Sequence, residues 1–463
     1  MEAFTFFSII VSSLILYACW AFIASKPAKN LPPGPPKLPI IGNMHQLDKI
    51  APHRALRALS RKYGPIFHLK LGQVSTVVVC SPQLAQEVLK TQDLTFSDRP
   101  SMTTSELFFY GRKNIAWSDY GNYWRQMKKM CTLELLSVKK SRDPIQKMVN
   151  DIVSRATLGD VCKDRDELLD RAGAMLRTFN SFNIENYFPR LTILNAVTGR
   201  KATWLKMQKQ LDVILERLLE DHRSRPTEDH EDLVDVLLRV QKNDDLDLPI
   251  ADDNIKAIIL EMLTAGTTSS SMTVEWAITE MMRKPEIMKK AQAEVRAVVK
   301  GERATEAEIQ KLNYTRLVIK ETLRLHSLPL MIPHECREDC VVNGYDIPAK
   351  TKLIVNLFAC STDPDTWEDP DTFKPERFTD TTISSTGADF KYFPFGAGRR
   401  ICPGMNFAIG SVEYILTNLL LRYDWKLPDG MKPHDIDMRD TTALSTLPLN
   451  PMKIIPVPLA KFK

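Results

Sequence analysis

Residues 394–404 read PFGAGRRICPG and hold a cysteine, Cys402, among closely spaced glycines. A cysteine thiolate is a strong, soft ligand that donates electron density to iron. Glycines let backbone N–H groups approach such a sulfur, and these hydrogen bonds tune the metal that it binds. The amphipathic stretch that follows predicts a helix whose positive N-terminus faces the same sulfur. The stretch therefore predicts a metal-binding thiolate loop.

From Phe395 to Gly404 the stretch has the form F-x-x-G-x-R-x-C-x-G, with five fixed positions in ten. On this pattern the chain resembles the haem-thiolate monooxygenases, the cytochromes P-450, and specifically their membrane-bound plant type. The resemblance implies that Cys402 is the protein ligand of haem iron. Arg400 suits a carboxylate such as a haem propionate. The alternative, a buried structural cysteine in a glycine turn, would require the five positions to match by chance.

The same resemblance implies a mainly α fold with small β-sheets, in which haem b lies between a long central helix and the cysteine loop. It also implies that electrons from NADPH arrive through a flavoprotein reductase. A basic patch on the face of Cys402 would steer that acidic partner, unless these side chains are simply solvated. The predicted patch consists of Arg125, Lys128, Lys129, Lys139, Lys140 and Arg399.

Residues 252–284 predict one long helix that ends before Pro285, and its centre reads TAGTTSSSM. Gly266 and the five hydroxyl residues that follow it are poor helix formers, which points to function. In the related family this segment is the oxygen-binding groove, usually A-G-x-[D/E]-T, whose acid and alcohol relay protons to dioxygen. Here Thr268 replaces the acid and Ser269 the threonine. Both are predicted catalytic residues, with helix packing as the alternative for Ser269.

Trp124 and Arg125 stand in GNYWRQMKKM, residues 121–130. They match a W-R pair that holds a haem propionate in the family, and both side chains are donors, as a carboxylate requires. Without the resemblance, a core tryptophan beside a solvated arginine would be the better interpretation.

The segment KETLRLH, residues 320–326, places Glu321 and Arg324 on one helix face. With Arg377 of FKPERF, the resemblance implies a glutamate–arginine–arginine cluster that stabilises the core beneath the haem. The pair alone would be interpreted as an exposed surface ion pair.

The N-terminal residues 4–24 carry no charge over about 21 positions, which is enough to span a bilayer as a helix. Lysines follow this segment, so we expect residues 1–25 to be a retained anchor in the endoplasmic reticulum membrane, with the catalytic domain in the cytosol. A cleaved signal peptide would have a positive start and a shorter apolar stretch. Residues 26–37 are rich in proline and predict a stiff linker, and residues 38–463 predict one catalytic domain.

Two departures from the family pattern concern the haem and the chain length. His334 stands where the family has an arginine near a propionate. At residues 141–146 one predicted helix runs almost directly into the next, where the family has a further helix. This apparent deletion has three explanations: a truncated gene model, a splice variant or a real loss.

Composition narrows the function classes. The chain has 463 residues and a net charge of +5, without a run of basic residues or a zinc-ligand spacing typical of nucleic-acid binding. Its eight cysteines contain no CxxC pair and indicate free thiols in a reducing compartment.

The leading hypothesis is a haem-thiolate monooxygenase that oxidises a small apolar plant metabolite, with terpenoids favoured over alkaloids and phenolics. The second hypothesis is an atypical haem-thiolate enzyme that rearranges, dehydrates or couples an alkaloid or phenolic. The third is a haem-binding but inactive paralogue, damaged by the missing segment.

Overall fold

The computed structural model describes residues 30–48, 50–134, 163–180, 183–189, 199–224, 231–242, 248–379, 389–442, 446–450 and 452–460, with isolated positions at 12, 153, 154, 156–158, 383 and 387. The predicted anchor, residues 4–24, lies outside this part of the chain except for position 12, and so does the junction at 141–146. Within the residues described, no helix combines the length and apolarity needed to cross a bilayer.

Helices form most of the described chain. In order they are α1 (Pro52–Tyr63), α2 (Pro82–Gln86), α3 (Thr103–Phe108), α4 (Asn122–Glu134), α5 (Arg165–Asn180), α6 (Arg200–Ser224), α7 (Leu233–Lys242), α8 (Asp252–Arg283), α9 (Pro285–Val298), α10 (Glu306–Ile309), α11 (Asn313–Leu325), α12 (Leu357–Ser361) and α13 (Met405–Arg422). The mainly α fold expected from the sequence is confirmed.

The strands are few and short. They are β1 (Ile66–Leu71), β2 (Val74–Val79), β3 (Met331–Glu335), β4 (Cys340–Val342), β5 (Tyr345–Ile347), β6 (Lys352–Asn356), β7 (Tyr423–Lys426), β8 (Asp440–Thr442), β9 (Thr446–Pro448) and β10 (Ile455–Pro458). The largest sheet has the order β1-β2-β6-β3, with β2 and β6 parallel and the other pairs antiparallel. This sheet carries β3 to the edge of the cavity described below.

Helix α8 is the central element, and it starts and ends where the sequence predicts. The Asn254 side chain accepts a hydrogen bond from the Ala251 N–H at 2.8 Å and so caps the start, while Pro285 follows the end. Buried residues lie on all sides of the helix, and it packs against α11 and α13. It therefore runs through the core, which brings its irregular centre to the cavity.

The predicted glutamate–arginine–arginine cluster is confirmed. Arg324 donates to both carboxylate oxygens of Glu321 at 2.8 Å, and both side chains are fully buried. Arg377 donates to the same carboxylate at 2.9 Å. Because Arg324 also donates to the backbone carbonyls of Ser361, Pro370 and Thr372, the cluster ties α11 to the segment that leads to the cysteine loop.

Candidate active site

A cavity of about 390 Å³ lies between the Cys402 loop and the centre of α8. Cys402 lines one wall, and Ala265, Gly266, Thr268 and Ser269 line the wall formed by α8. The segment between α3 and α4 and the start of β3 close the remaining sides. The structure thus brings together the thiol and the irregular helix centre that the sequence singled out separately.

The cysteine loop depends on its glycines. Gly398 has φ +66°, and a Cβ at this position would lie 1.8 Å from the carbonyl oxygen of Leu89, so only glycine fits without a shift. The Cys402 N–H donates to the Phe395 carbonyl at 3.0 Å. Lys128 of α4 donates to the carbonyls of Arg399 and Ile401 at 2.7 and 3.1 Å. These contacts hold the sulfur at the wall of the cavity.

Burial raises the pKa of the Cys402 thiol, and it outweighs the opposite effects of the Gly404 N–H and the Lys128 charge. Burial likewise lowers the pKa of Lys128 to about 8. A buried sulfur of this kind becomes a thiolate when a metal cation supplies the compensating charge. The loop is therefore suited to hold a metal rather than a free anion.

Arg400 and Trp124 meet beside the cavity. The Arg400 guanidinium lies 4.5 Å from the centre of the Trp124 ring and donates to the carbonyls of Ser97 and Ser118 at 2.6 and 2.7 Å. Trp124 Nε1–H donates to the Ile115 carbonyl at 2.9 Å. Burial lowers the pKa of Arg400 to about 9. Both side chains therefore line the cavity, with these N–H groups bonded to backbone carbonyls.

Arg125 is placed differently. Its side chain is exposed and contacts Asn122 and the Tyr120 ring, and it is not among the residues that line the cavity. The predicted W-R pair is thus divided, with Trp124 at the cavity and Arg125 on the outer side of α4.

The centre of α8 offers hydroxyl groups to the cavity. Ser269 Oγ donates to the Ala265 carbonyl at 2.8 Å, which leaves its oxygen free to accept from a ligand or a water. A Cβ on Gly266 would lie 3.2 Å from a methyl group of Val153, so the absent side chain leaves little spare space on that side. Thr268 lines the same wall.

Sequence reasoning missed the role of Arg99 and found His334 only as a departure from a pattern. Arg99 donates to the Ala116 carbonyl at 3.2 Å and to the Pro333 carbonyl, and burial lowers its pKa to about 10. His334 Nδ1–H donates to the Phe96 carbonyl at 2.6 Å, while its Nε2 is buried without a partner. Both residues line the cavity, although no local motif marks Arg99.

Glu261 was also missed. Its two oxygens accept from the N–H groups of Ile115 and Ala116 at 2.7 and 2.6 Å, which ties the segment between α3 and α4 to the central helix. Burial raises the pKa of this carboxyl to about 7. A lone acid in an apolar helix, one turn before Ala265, was the signal that could have revealed it.

The residues present fit a haem. The partly buried Cys402 thiol lines the cavity. The cationic side chains of Arg99 and Arg400 line it as well, as two propionate groups would require. The unpartnered Nε2 of His334 is a further polar atom without a protein partner.

Known proteins share the fold and the sequence pattern of this chain. A family model described as cytochrome P450 matches residues 32–157 and 141–454. A solved zebra fish cytochrome P450, a structure with progesterone, superimposes with a TM-score of 0.76 at 23% identity and covers 88% of this chain and 99% of its own.

Two plant relatives are closer in sequence. Germacrene A acid 8-beta-hydroxylase of Helianthus annuus is 65% identical and covers 100% of both chains. Costunolide synthase of Tanacetum parthenium is 54% identical over 99% of each chain. The alignment with the hydroxylase runs over 491 positions against 463 residues here, so at least 28 positions face a gap in this chain.

Proposed function

This chain belongs to the cytochrome P450 family, and we propose that it is a monooxygenase that hydroxylates a germacrane-type sesquiterpene acid. The observation that carries the proposal is the cavity, which brings the partly buried Cys402 thiol and the irregular centre of α8 with its hydroxyl acceptors to one space. The relative that is 65% identical is named for hydroxylation of germacrene A acid, which supports the substrate class.

Cys402 would hold haem iron, while Arg400, Trp124 and Arg99 would hold the propionates. When bound, the haem supplies the iron at which dioxygen is activated, with electrons from NADPH delivered by a flavoprotein reductase. Arg125 is exposed and does not line the cavity, so its charge would be available to the reductase. Lys128, which belongs to the basic patch predicted for the reductase, also has a structural role. Its ammonium group donates to two carbonyls of the cysteine loop.

Ser269 would hold a water molecule in the groove. Its hydroxyl group donates its hydrogen bond to the Ala265 carbonyl, so its oxygen would accept a hydrogen bond from the water rather than donate one. Thr268 would provide the second hydroxyl and complete a relay without a carboxylate. The proton supply is then weaker than in relatives with an acid, and part of the reducing equivalents should leave as peroxide.

The substrate side of the cavity is aromatic and aliphatic. Phe179 of α5 packs against Trp117 at 5.1 Å and against Phe109 at 6.2 Å between ring centres, and all three line the cavity. This wall suits a hydrocarbon skeleton of the terpenoid kind. Rearrangement or coupling of an alkaloid or phenolic finds no specific support in these contacts.

We infer further that residues 4–24 anchor the chain in the endoplasmic reticulum membrane, with the domain from residue 38 onward in the cytosol, and that a segment is missing near 141–146. The charge-free N-terminal stretch supports the anchor. The two parts of the family match meet between residues 141 and 157, which supports the position of the gap.

The test is coexpression of the full chain with a plant flavoprotein reductase in yeast microsomes, supplied with germacrene A acid and NADPH. We expect a product that carries one additional oxygen atom, and none from Cys402→Ser. A normal red-shifted Soret band in the reduced carbon monoxide complex without any product would refute the substrate class. Loss of that band in the wild type would favour the inactive paralogue, and an isomeric product would favour the atypical enzyme.

A further inference from the structure

Asn114 is a polar side chain in the cavity that no part of the proposed mechanism uses. It is fully buried and lines the cavity. Its Nδ2 and its Oδ1 both lack a hydrogen-bond partner among the described residues. Leaving a buried amide unpaired is costly, and each such group requires an explanation.

Neighbouring polar groups do not share this feature. Three hydroxyls of the cavity wall donate to carbonyls of their own helices, those of Thr157, Thr264 and Ser269. The backbone N–H groups that follow Asn114 in the chain are satisfied by Glu261. Among the fully buried polar side chains of the described cavity wall, Asn114 is therefore the one whose donor and acceptor both lack a protein partner. The Thr268 hydroxyl is only half-buried.

The position of Asn114 relative to the groove follows from Glu261. This carboxylate fixes Ile115 and Ala116, so Asn114 precedes the point where its segment is attached to α8. Glu261 and Ala265 are four residues apart, which corresponds to about one helical turn or roughly 5–6 Å. A ligand bound at Asn114 would thus have its skeleton against the groove, beside the aromatic wall of Phe109, Trp117 and Phe179.

We propose that the Asn114 amide binds the carboxyl group of the substrate and thereby positions the skeleton for oxidation. A carboxyl group that keeps its proton accepts from Nδ2–H and donates to Oδ1, so one group satisfies both unpaired atoms. An apolar cavity favours that neutral form. An aldehyde would satisfy only the donor, and a hydrocarbon neither. The identity of the carbon skeleton, a germacrane, rests on the proposed function.

A haem propionate is a competing occupant, since it also carries a carboxyl group. The cationic side chains of Arg99 and Arg400 line the same cavity and would supply the charged donors for the propionates. An ionised propionate would satisfy only the amide donor and would leave Oδ1 facing negative charge. The pairing of an unused donor with an unused acceptor therefore favours a neutral acid.

The experiment uses the full-length haem-loaded protein in microsomes and measures ligand binding from the shift of the Soret band. The ligands form a series on one skeleton: germacrene A, its aldehyde and its acid. A second sesquiterpene hydrocarbon and its acid provide an independent pair. The variants are Asn114→Leu, which has a similar shape without polar atoms, and Asn114→Asp, with Thr264→Val as a matched control because the Thr264 hydroxyl is satisfied within its own helix.

In the wild type we expect the acid to bind at least tenfold more tightly than the hydrocarbon, with the aldehyde between them. Asn114→Leu should weaken acid binding about tenfold and leave hydrocarbon binding unchanged or tighter. Asn114→Asp should weaken acid binding further, because two carboxyl groups would then compete for one proton. Thr264→Val should change the affinities for acid and hydrocarbon in parallel.

An acid preference that survives in Asn114→Leu would overturn the proposal. So would a loss of haem content or a shifted reduction potential in Asn114→Leu that affects all ligands equally, because that result assigns the amide to a propionate. If the preference depends on Asn114 for the second pair while germacrene A acid gives no product, the proposed function fails and this inference stands.

Discussion

Gly396 and Gly398 both have positive φ angles in the cysteine loop, of +73° and +66°, yet replacing them by alanine should have very different effects. Alanine in this conformation costs about 1 kcal/mol from backbone strain alone. At Gly396 the nearest atom to an added Cβ is Ile332 Cδ1 at 3.4 Å, which is an ordinary contact. Gly396→Ala should therefore cost little more than the strain.

At Gly398 the added Cβ would lie 1.8 Å from the Leu89 carbonyl oxygen and 3.1 Å from its carbon. The obstacle is backbone, so the loop must move by more than 1 Å. That shift would strain the Asp93 contacts that hold Arg399, which lie at 3.0 and 3.2 Å. Adding lost hydrogen bonds of about 1 kcal/mol each to the strain gives a cost on the order of 3 kcal/mol or more for Gly398→Ala.

The assay compares haem content, from the carbon monoxide difference spectrum, and thermal midpoint for the two variants expressed side by side. We expect Gly396→Ala to retain most of the haem signal and to lose a few degrees. Gly398→Ala should lose most of its thiolate-ligated fraction, because Cys402 follows the displaced turn. Equal losses in the two variants would refute the reasoning, since the difference between them rests only on the Leu89 carbonyl.

Three further predictions address the central helix and the core. Burial raises the pKa of Glu261 from 4.5 to about 7, so between these pH values the folded state keeps a proton that the unfolded chain releases. The stability that this proton contributes is full below about pH 4.5 and falls as the pH rises toward 7. Relative to Glu261→Gln, the wild type should therefore lose thermal stability between about pH 5 and pH 7.5, and parallel curves would contradict this. Ser269→Ala should keep the haem spectrum but lower the amount of product formed per NADPH consumed and raise the amount of peroxide released. An unchanged ratio of product to NADPH would mean that the serine serves only in helix packing. Arg324→Leu should lower the free energy of unfolding by about 3–5 kcal/mol, because it removes one of the two cations on the buried Glu321 carboxylate and the donor to three backbone carbonyls. Arg316→Leu, which breaks a partly exposed pair on the same helix, should lower it by under about 1 kcal/mol.

The sequence predicted best where a function imposes a local pattern. The bounds of α8 follow from its cap and from Pro285, and the glycines around Cys402 follow from close backbone approach. Glu321 and Arg324 could be paired because they are three residues apart on one helix. In each case the partners are near in sequence or belong to a known motif, so spacing carries the information.

Long-range contacts were not accessible in the same way. The carboxylate of Glu261 is about 145 positions from the N–H groups that it binds. No sequence pattern near Arg99 predicts its hydrogen bond to the Pro333 carbonyl. Trp124 and Arg125 are adjacent on α4, and adjacent residues on a helix point about 100° apart. Trp124 lines the cavity and Arg125 does not, so their shared role at a propionate stays a prediction.

Asn114 shows why a residue that belongs to no sequence motif can still be proposed to bind a ligand. An asparagine before an apolar segment is ordinary in a loop, where water would satisfy its amide. In this fold Glu261 binds the backbone of the next two residues to α8. The Asn114 amide is then buried at the cavity wall, out of bulk water. The Glu261 carboxylate thus fixes the backbone directly after the unpaired amide. A change at Glu261 should alter acid recognition as well as stability, through the backbone that the two residues share.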